Sequence, residues 1–266
     1  MQSKLKDKTA LITGASRGIG KAIVEELSRY SMKLGLLARS EDQLNNVAKY
    51  VSDSGSEAFV LKADLNNLKD IEKVAGVFKQ KFGAPDYLIN NAGIGARGFW
   101  IDLSLDEELE ITTVNYLAPL TLTRLFLPDM LKLNRGHIIN INTIGGVYAA
   151  PFQGAYCASK AALLAYSSSL AYEMENTNIN ISSVFLGPTD TDFIKRRNFE
   201  GFKKSKGVAT PKEVADVVLS LINHPKETGV VGSSLKLLLA RMTNLHPRFF
   251  RKIIESKNDP PKRKHS

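Results

Sequence analysis

The 266-residue chain has one cysteine, Cys157, so no disulfide can form within it, a usage that permits a reducing compartment. Cys157 lies in a run of small residues, "AYCASKAALLAYSSSLAY", and reads as a packing residue. Long apolar runs are missing as well. None approaches the ~20 residues that cross a bilayer. The start, "MQSKLKDKTALITG", has no long apolar core and no small-residue cleavage site. These absences point to a cytoplasmic protein without a transmembrane segment. The four histidines, His137, His224, His246 and His265, show no ligand spacing, so no metal is expected.

The chain is not poor in charge; it carries a net +9. Residues 195–206, "KRRNFEGFKKSK", hold six bases against one acid, and 257–266 hold four against one. These two stretches supply eight of the nine net charges and leave the body nearly neutral. Nothing in that body alternates bases with aromatics as a nucleic-acid surface would, so no nucleic-acid partner is expected. With 43% hydrophobic and 24% charged residues the composition is that of a soluble globular protein. No repeat or linker divides it. The reading is one domain over 1–256, followed by a basic tail, 257–266, in which Pro260, Pro261 and the charges predict disorder.

What is present in abundance is alternation. Short apolar runs at 9–13, 33–38, 57–65, 85–93, 136–143 and 179–187 read as strands. Amphipathic stretches at 21–31, 41–55, 68–83, 106–134 and 155–175 read as helices between them. Strands apolar throughout and separated by helices indicate a parallel sheet covered on both faces. With right-handed crossovers this is an α/β, doubly wound Rossmann sheet in three layers, α/β/α.

The turn after the first strand, "TGASRGIG", places Gly14, Gly18 and Gly20 around Ser16, Arg17 and Ile19. Glycines let the backbone approach a pyrophosphate, and the following helix offers free N–H groups. The spacing predicts dinucleotide binding. At the end of the second strand an NAD site would place an acid. Here Ala38 is followed by Arg39, whose guanidinium can clamp a 2′-phosphate, with Arg17 beside it. This predicts NADP(H). In "YCASK", Tyr156 and Lys160 stand four apart, on one helix face and about 5.4 Å along the axis.

Taken in order, "TGASRGIG", "NNAG" (90–93) and "YCASK" resemble the short-chain dehydrogenase/reductase family over roughly residues 7–235. The resemblance implies a hydride exchange between NADP(H) and a carbonyl or secondary alcohol. It implies Tyr156 as general acid and base, Lys160 as its partner, and Asn115 as holder of a relay water. It implies that Asp64 and Leu65 meet the adenine and that Asn90, Asn91, Ala92 and Gly93 line the cofactor. Gly187, Pro188, Thr189 and Thr191 would receive the nicotinamide carboxamide. A charge at Lys160 would lower the Tyr156 phenol, and Thr143 would hold the substrate oxygen. Thr143 stands where the family usually has Ser, and Leu186 where it usually has Pro. Those departures motivate a rival from another class, a cofactor-binding sensor or scaffold without turnover. The family also implies a homodimer or homotetramer built on the two long helices.

Residues 188–210 are expected to form the substrate lid, with Phe193, Phe199 and Phe202 among the bases. The C-terminal stretch 236–256 lacks the Asp-Gly-Gly turn common in acyl-carrier ketoreductases. It resembles instead the endings of members that reduce bulky apolar carbonyls. The expected substrate is therefore an apolar small molecule, lipid-, steroid- or acyl-like, with 3-oxoacyl-thioester reduction as the alternative. The segment "RFFRKII" is expected over the substrate mouth or a neighbouring subunit, with peripheral membrane contact as the other reading.

Overall fold

The sheet is seven-stranded and parallel throughout, in the order β3-β2-β1-β4-β5-β6-β7. The computed structural model describes residues 2–191, 193, 208–245 and 260. The strands are β1 (Thr9–Thr13), β2 (Lys33–Ala38), β3 (Glu57–Lys62), β4 (Tyr87–Asn90), β5 (Gly136–Thr143), β6 (Ile179–Leu186) and β7 (Thr228–Val230). After a short turn, α1 (Gln2–Leu5), the helices are α2 (Gly18–Leu27), α3 (Glu41–Asp53), α4 (Leu68–Phe82), α5 (Leu105–Thr112), α6 (Ala118–Lys132), α7 (Gly154–Glu173), α8 (Pro211–Asn223) and α9 (Ser234–Leu245).

Side-chain alternation along the strands splits the core into two layers. Ala10 and Ile12 of β1 pack with Ile23, Leu44 and Val218, so α2, α3 and α8 cover one face. Leu11 of β1 packs with Phe78, Leu122 and Leu170, so α4, α6 and α7 cover the other. The three-layer architecture expected from the sequence is the one observed.

The differences lie at element ends, and each has a cause. The fourth strand stops at Asn90 because the Thr13 hydroxyl captures the next two amides, Asn91 N and Ala92 N, both at 2.9 Å. The third stops at Lys62, and an Asx turn follows in which Asp64 Oδ1 accepts from Asn66 N at 3.0 Å. The first helix begins at Gly18 rather than 21, because the last glycines of the loop form its first turn. The long helix expected over 106–134 is broken by a π-helical turn, Thr113–Leu117, between α5 and α6. Beyond 208 the structure adds α8, β7 and α9. α8 starts at a capping box formed by Thr210 and Glu213, with Pro211 in the first turn.

At the end of the sheet away from the glycine loop, His137 Nε2 lies 2.7 Å from Ser182 Oγ, which itself donates to Lys226 O. Ser182 must therefore accept, so Nε2 carries the proton and Nδ1 is a buried acceptor without a partner among the described residues. Burial pushes the His137 imidazole down to about 4. An unfolded chain takes up that proton near ~6.5. The stabilisation is thus complete above that value and lost as pH falls through the interval to the folded value, by about 3 kcal/mol. Urea titrations at pH 7 and pH 4 should show this loss in the wild type and a smaller one in His137→Leu. Equal pH dependence in both would remove His137 as the cause.

Candidate active site

The strand order reverses between β1 and β4, which opens a crevice beyond their C-terminal ends. The glycine loop fills one side of it. Gly14 (φ +67°) and Gly18 (φ +55°) are in the left-handed region that favours glycine. At Gly20 a Cβ would stand 2.1 Å from Gly14 O and 2.6 Å from Asn91 Nδ2. The loop is therefore a cradle that only a bare backbone can form, facing the N-terminus of α2. Asn91 braces it by donating from Nδ2 to Thr13 O at 2.8 Å. Thr13, which the motif reading left out of the site, ties β1 to the turn after β4 through its hydroxyl. Its signal was its place as the residue before the first glycine.

Arg39 stands at the end of β2 with its guanidinium 4.0 Å from the Asp64 carboxylate, both side chains about half exposed. Leu65 beside it is buried. On the other side, Thr189 is buried and donates to Gly187 O at 3.2 Å. Thr191 lies over the glycine loop: a Cβ at Gly18 would meet its Cγ2 at 3.4 Å. Most of the expected lid and its six bases, and the "RFFRKII" segment, lie outside the described residues.

Tyr156 and Lys160 project from α7 toward the ends of β4 and β5. The Lys160 ammonium is buried and donates to Ile141 O at 2.8 Å, close to Gly93. Burial pulls it down to about 8. Burial pushes the Tyr156 phenol well above its usual range, Cys157 adds to this, and a hydrogen bond with Thr143 pulls it back. Lys160, held near 8, gives up its charge below the range in which so raised a phenol ionises, so it does not figure among the groups that set the phenol. Thr143 Oγ1 also donates to Leu186 O at 3.1 Å and accepts from Gly145 N at 3.2 Å. The Phe193 ring lies 5.7 Å from that of Tyr156.

Asn115 sits in the π-helical turn. Its Nδ2 donates to Ile94 O at 2.8 Å and Ser159 Oγ at 3.0 Å, and its Oδ1 accepts from Ile94 N at 2.8 Å. Both amide hydrogens are committed, so a water at this residue would meet Oδ1 or the main-chain carbonyl. Ser159 and Asn142 were not foreseen. Asn142 holds the α7 backbone by donating to Lys160 O at 3.2 Å, and its Oδ1 accepts from Thr143 N at 2.8 Å. Among the described residues no three or more His, Cys, Asp or Glu side chains are grouped to hold a metal.

The structure thus brings the glycine cradle, Asn91, Gly93, Asn115, Thr143, Tyr156 and Lys160 to one crevice. The model of the short chain dehydrogenase family matches residues 8–200. The chain belongs to the short-chain dehydrogenase family. It is an oxidoreductase of that family, and the motif order agrees with the crevice just described. It is 35% identical over 244 residues to an NADP-dependent 3-hydroxy acid dehydrogenase of Schizosaccharomyces pombe, covering 88% of this chain and 93% of that protein. It is 33% identical over 242 residues to the ketoacyl reductase HetN of a Nostoc species, covering 89% of this chain and 84% of that one. A metagenomic short-chain oxidoreductase solved with NADP superposes with a TM-score of 0.72 at 31% identity, over 84% of this chain and 93% of that one.

Proposed function

We propose that this dehydrogenase transfers a hydride between NADP(H) and a carbonyl or secondary alcohol, on an apolar substrate. The observation that carries the reading is a half-buried phenol, Tyr156, beside the Thr143 hydroxyl and one helical turn from a buried ammonium, Lys160, next to a loop only glycine can form. The residues fit the cofactor: the cradle and the α2 N-terminus suit a pyrophosphate, Arg39 a 2′-phosphate, and Thr189 and Thr191 an amide. When bound, NADP(H) supplies or takes the hydride.

The chain's own residues handle the proton. The raised phenol keeps its proton near neutral pH, which is the form that donates to a developing alkoxide. Thr143 gives the substrate oxygen a second hydroxyl partner once its own proton turns from Leu186 O. A lysine held near 8 is roughly nine-tenths protonated at pH 7. Ile141 O engages one of its three hydrogens, leaving two for a ribose hydroxyl and for a water at Asn115. Phe193 against Tyr156 supports an apolar substrate wall. The Nostoc relative's description as a ketoacyl reductase favours a second reading, 3-oxoacyl-thioester reduction. The exposed small residues Gly154, Ala158, Ala161 and Ala165 of α7 support a homo-oligomer built on that helix.

Absorbance at 340 nm with NADPH against bulky ketones and acyl thioesters tests the function. No change across both sets would leave only a cofactor-binding protein. For the cofactor, Arg39→Asp removes a charge-assisted pair worth about 2 kcal/mol. NADPH binding should weaken roughly 30-fold while NADH changes little. Equal losses for both would remove the 2′-phosphate from Arg39.

A further inference from the structure

Along β5, Ile138, Asn140 and Asn142 point to the α7 side of the sheet, while Ile139 and Ile141 belong to the opposite core layer. Two of the three side chains under α7 are thus asparagines, each 1% exposed. Apolar side chains would bury the helix there without fixing it, because the hydrophobic effect has no direction. A hydrogen bond does have one, and it weakens steeply as the angle opens.

Asn142 spends both of its bonds on main chain. Its Oδ1 accepts from Thr143 N at 2.8 Å, and its Nδ2 donates to Lys160 O at 3.2 Å. A main-chain N–H can only donate and a carbonyl can only accept, so the carboxamide has one possible orientation. Lys160 lies inside α7, where its carbonyl already serves the helix ladder. The bond from Asn142 takes the second lone pair, so the helix does not need it to be complete. What the bond does is tie strand to helix at Lys160. The neighbours of Asn142 close the circuit: Ile141 O accepts from Lys160 Nζ at 2.8 Å, and the Thr143 hydroxyl stands by Tyr156. Gly146 leaves the room for this. A Cβ there would stand 2.6 Å from Asn142 Oδ1 and 3.1 Å from the Lys160 carbonyl carbon. Gly146 is not among the glycines with positive φ, so what it supplies is space.

We infer that Asn142 is a positioning residue for the proposed hydride transfer. Its carboxamide sets the register of α7 on β5, and with it the distances from Thr143 to Tyr156 and Lys160. As a statement about catalysis the inference rests on the proposed reaction; as a statement about geometry it does not. Asn140 provides the control. Its Nδ2 donates to Ser167 Oγ at 2.8 Å, between the same strand and the same helix but about two turns beyond Lys160.

Three single variants of the full chain form the test. Asn142→Leu has similar size and neither bond. Asn142→Ser is too short to span both groups and serves if the leucine variant does not fold. Ser167→Ala removes the control bond. Rates at 340 nm with a phenyl ketone and an acetoacetyl thioester are taken well below each melting temperature, on protein counted by bound NADPH. The Asn142 variants should lose roughly 30- to 100-fold in kcat, the cost of a small misplacement of reacting groups. KM for the carbonyl should stay within about threefold, and the deuterium isotope effect from NADPH labelled at C4 should rise, because the chemical step is what slows. Ser167→Ala should melt lower and keep kcat within about twofold. Wild-type kcat in a folded Asn142 variant, an equal loss in Ser167→Ala, or a loss carried in KM with no rise in the isotope effect overturns the inference. Crystal structures test the geometry without substrate: in an Asn142 variant the distances from Thr143 Oγ1 to the Tyr156 hydroxyl and to Lys160 Nζ should change by more than about 0.5 Å. Unchanged distances also overturn it. If the wild type reduces neither carbonyl, the proposed reaction fails, and the crystal structures still decide what Asn142 positions.

Discussion

Tyr156→Phe should lower kcat/KM roughly 10³-fold, the contribution of a positioned general acid, while NADPH binds as before. The substitution deletes one oxygen and keeps the ring. The contacts of that ring with Phe193 and Gly95 remain, so the fold has no reason to change. What disappears is the phenol hydroxyl that stands by Thr143. Steady-state rates at 340 nm and fluorescence titration with NADPH separate the two effects. Turnover within a few-fold of wild type would mean another group supplies the proton. Loss of NADPH binding in step with turnover would mean the hydroxyl holds cofactor and not substrate.

Gly20→Ala should weaken NADPH binding at least 100-fold and destabilise the protein by roughly 1–3 kcal/mol. The added carbon would sit 2.1 Å from a backbone oxygen, Gly14 O, which cannot rotate away as a side-chain tip can. Either Gly14 retreats into the space for the pyrophosphate or α2 tips off β1. Both displace the N–H groups that an anion would meet. Gly76→Ala in α4 is the comparison. Its Cβ would meet nothing within 4 Å, in an ordinary helical conformation, so stability should hold or rise by about 0.5–1 kcal/mol. Isothermal titration and thermal melts read both. Normal NADPH affinity in Gly20→Ala would show that the loop is not the cradle.

The same positions show what a sequence makes legible. Periodicity located the six principal strands because a strand buried on both faces leaves a continuous apolar run. Gly14 and Gly18 were legible because few other residues tolerate their backbone angles. Asn115 was legible by resemblance alone. Its clamp on Ile94 depends on the π-helical turn, and no local pattern announces that turn. Spacing puts Tyr156 and Lys160 on one face but does not say which acceptor the ammonium finds; across the fold it finds Ile141 O.

By itself the sequence determined the parallel α/β architecture, the glycine turn and the placing of Tyr156 and Lys160 on one helix face. Each of these is a local property of chain geometry, written in side-chain period and in glycine's missing Cβ. Tertiary structure alone decided the proton's surroundings and the bridge from Asn142 to α7. A phenol is raised by what buries it, a lysine turns to whichever carbonyl the fold presents, and an asparagine ties a strand to a helix only when the two lie side by side. Those are relations between residues far apart in the chain, and they come into being only when the layers close.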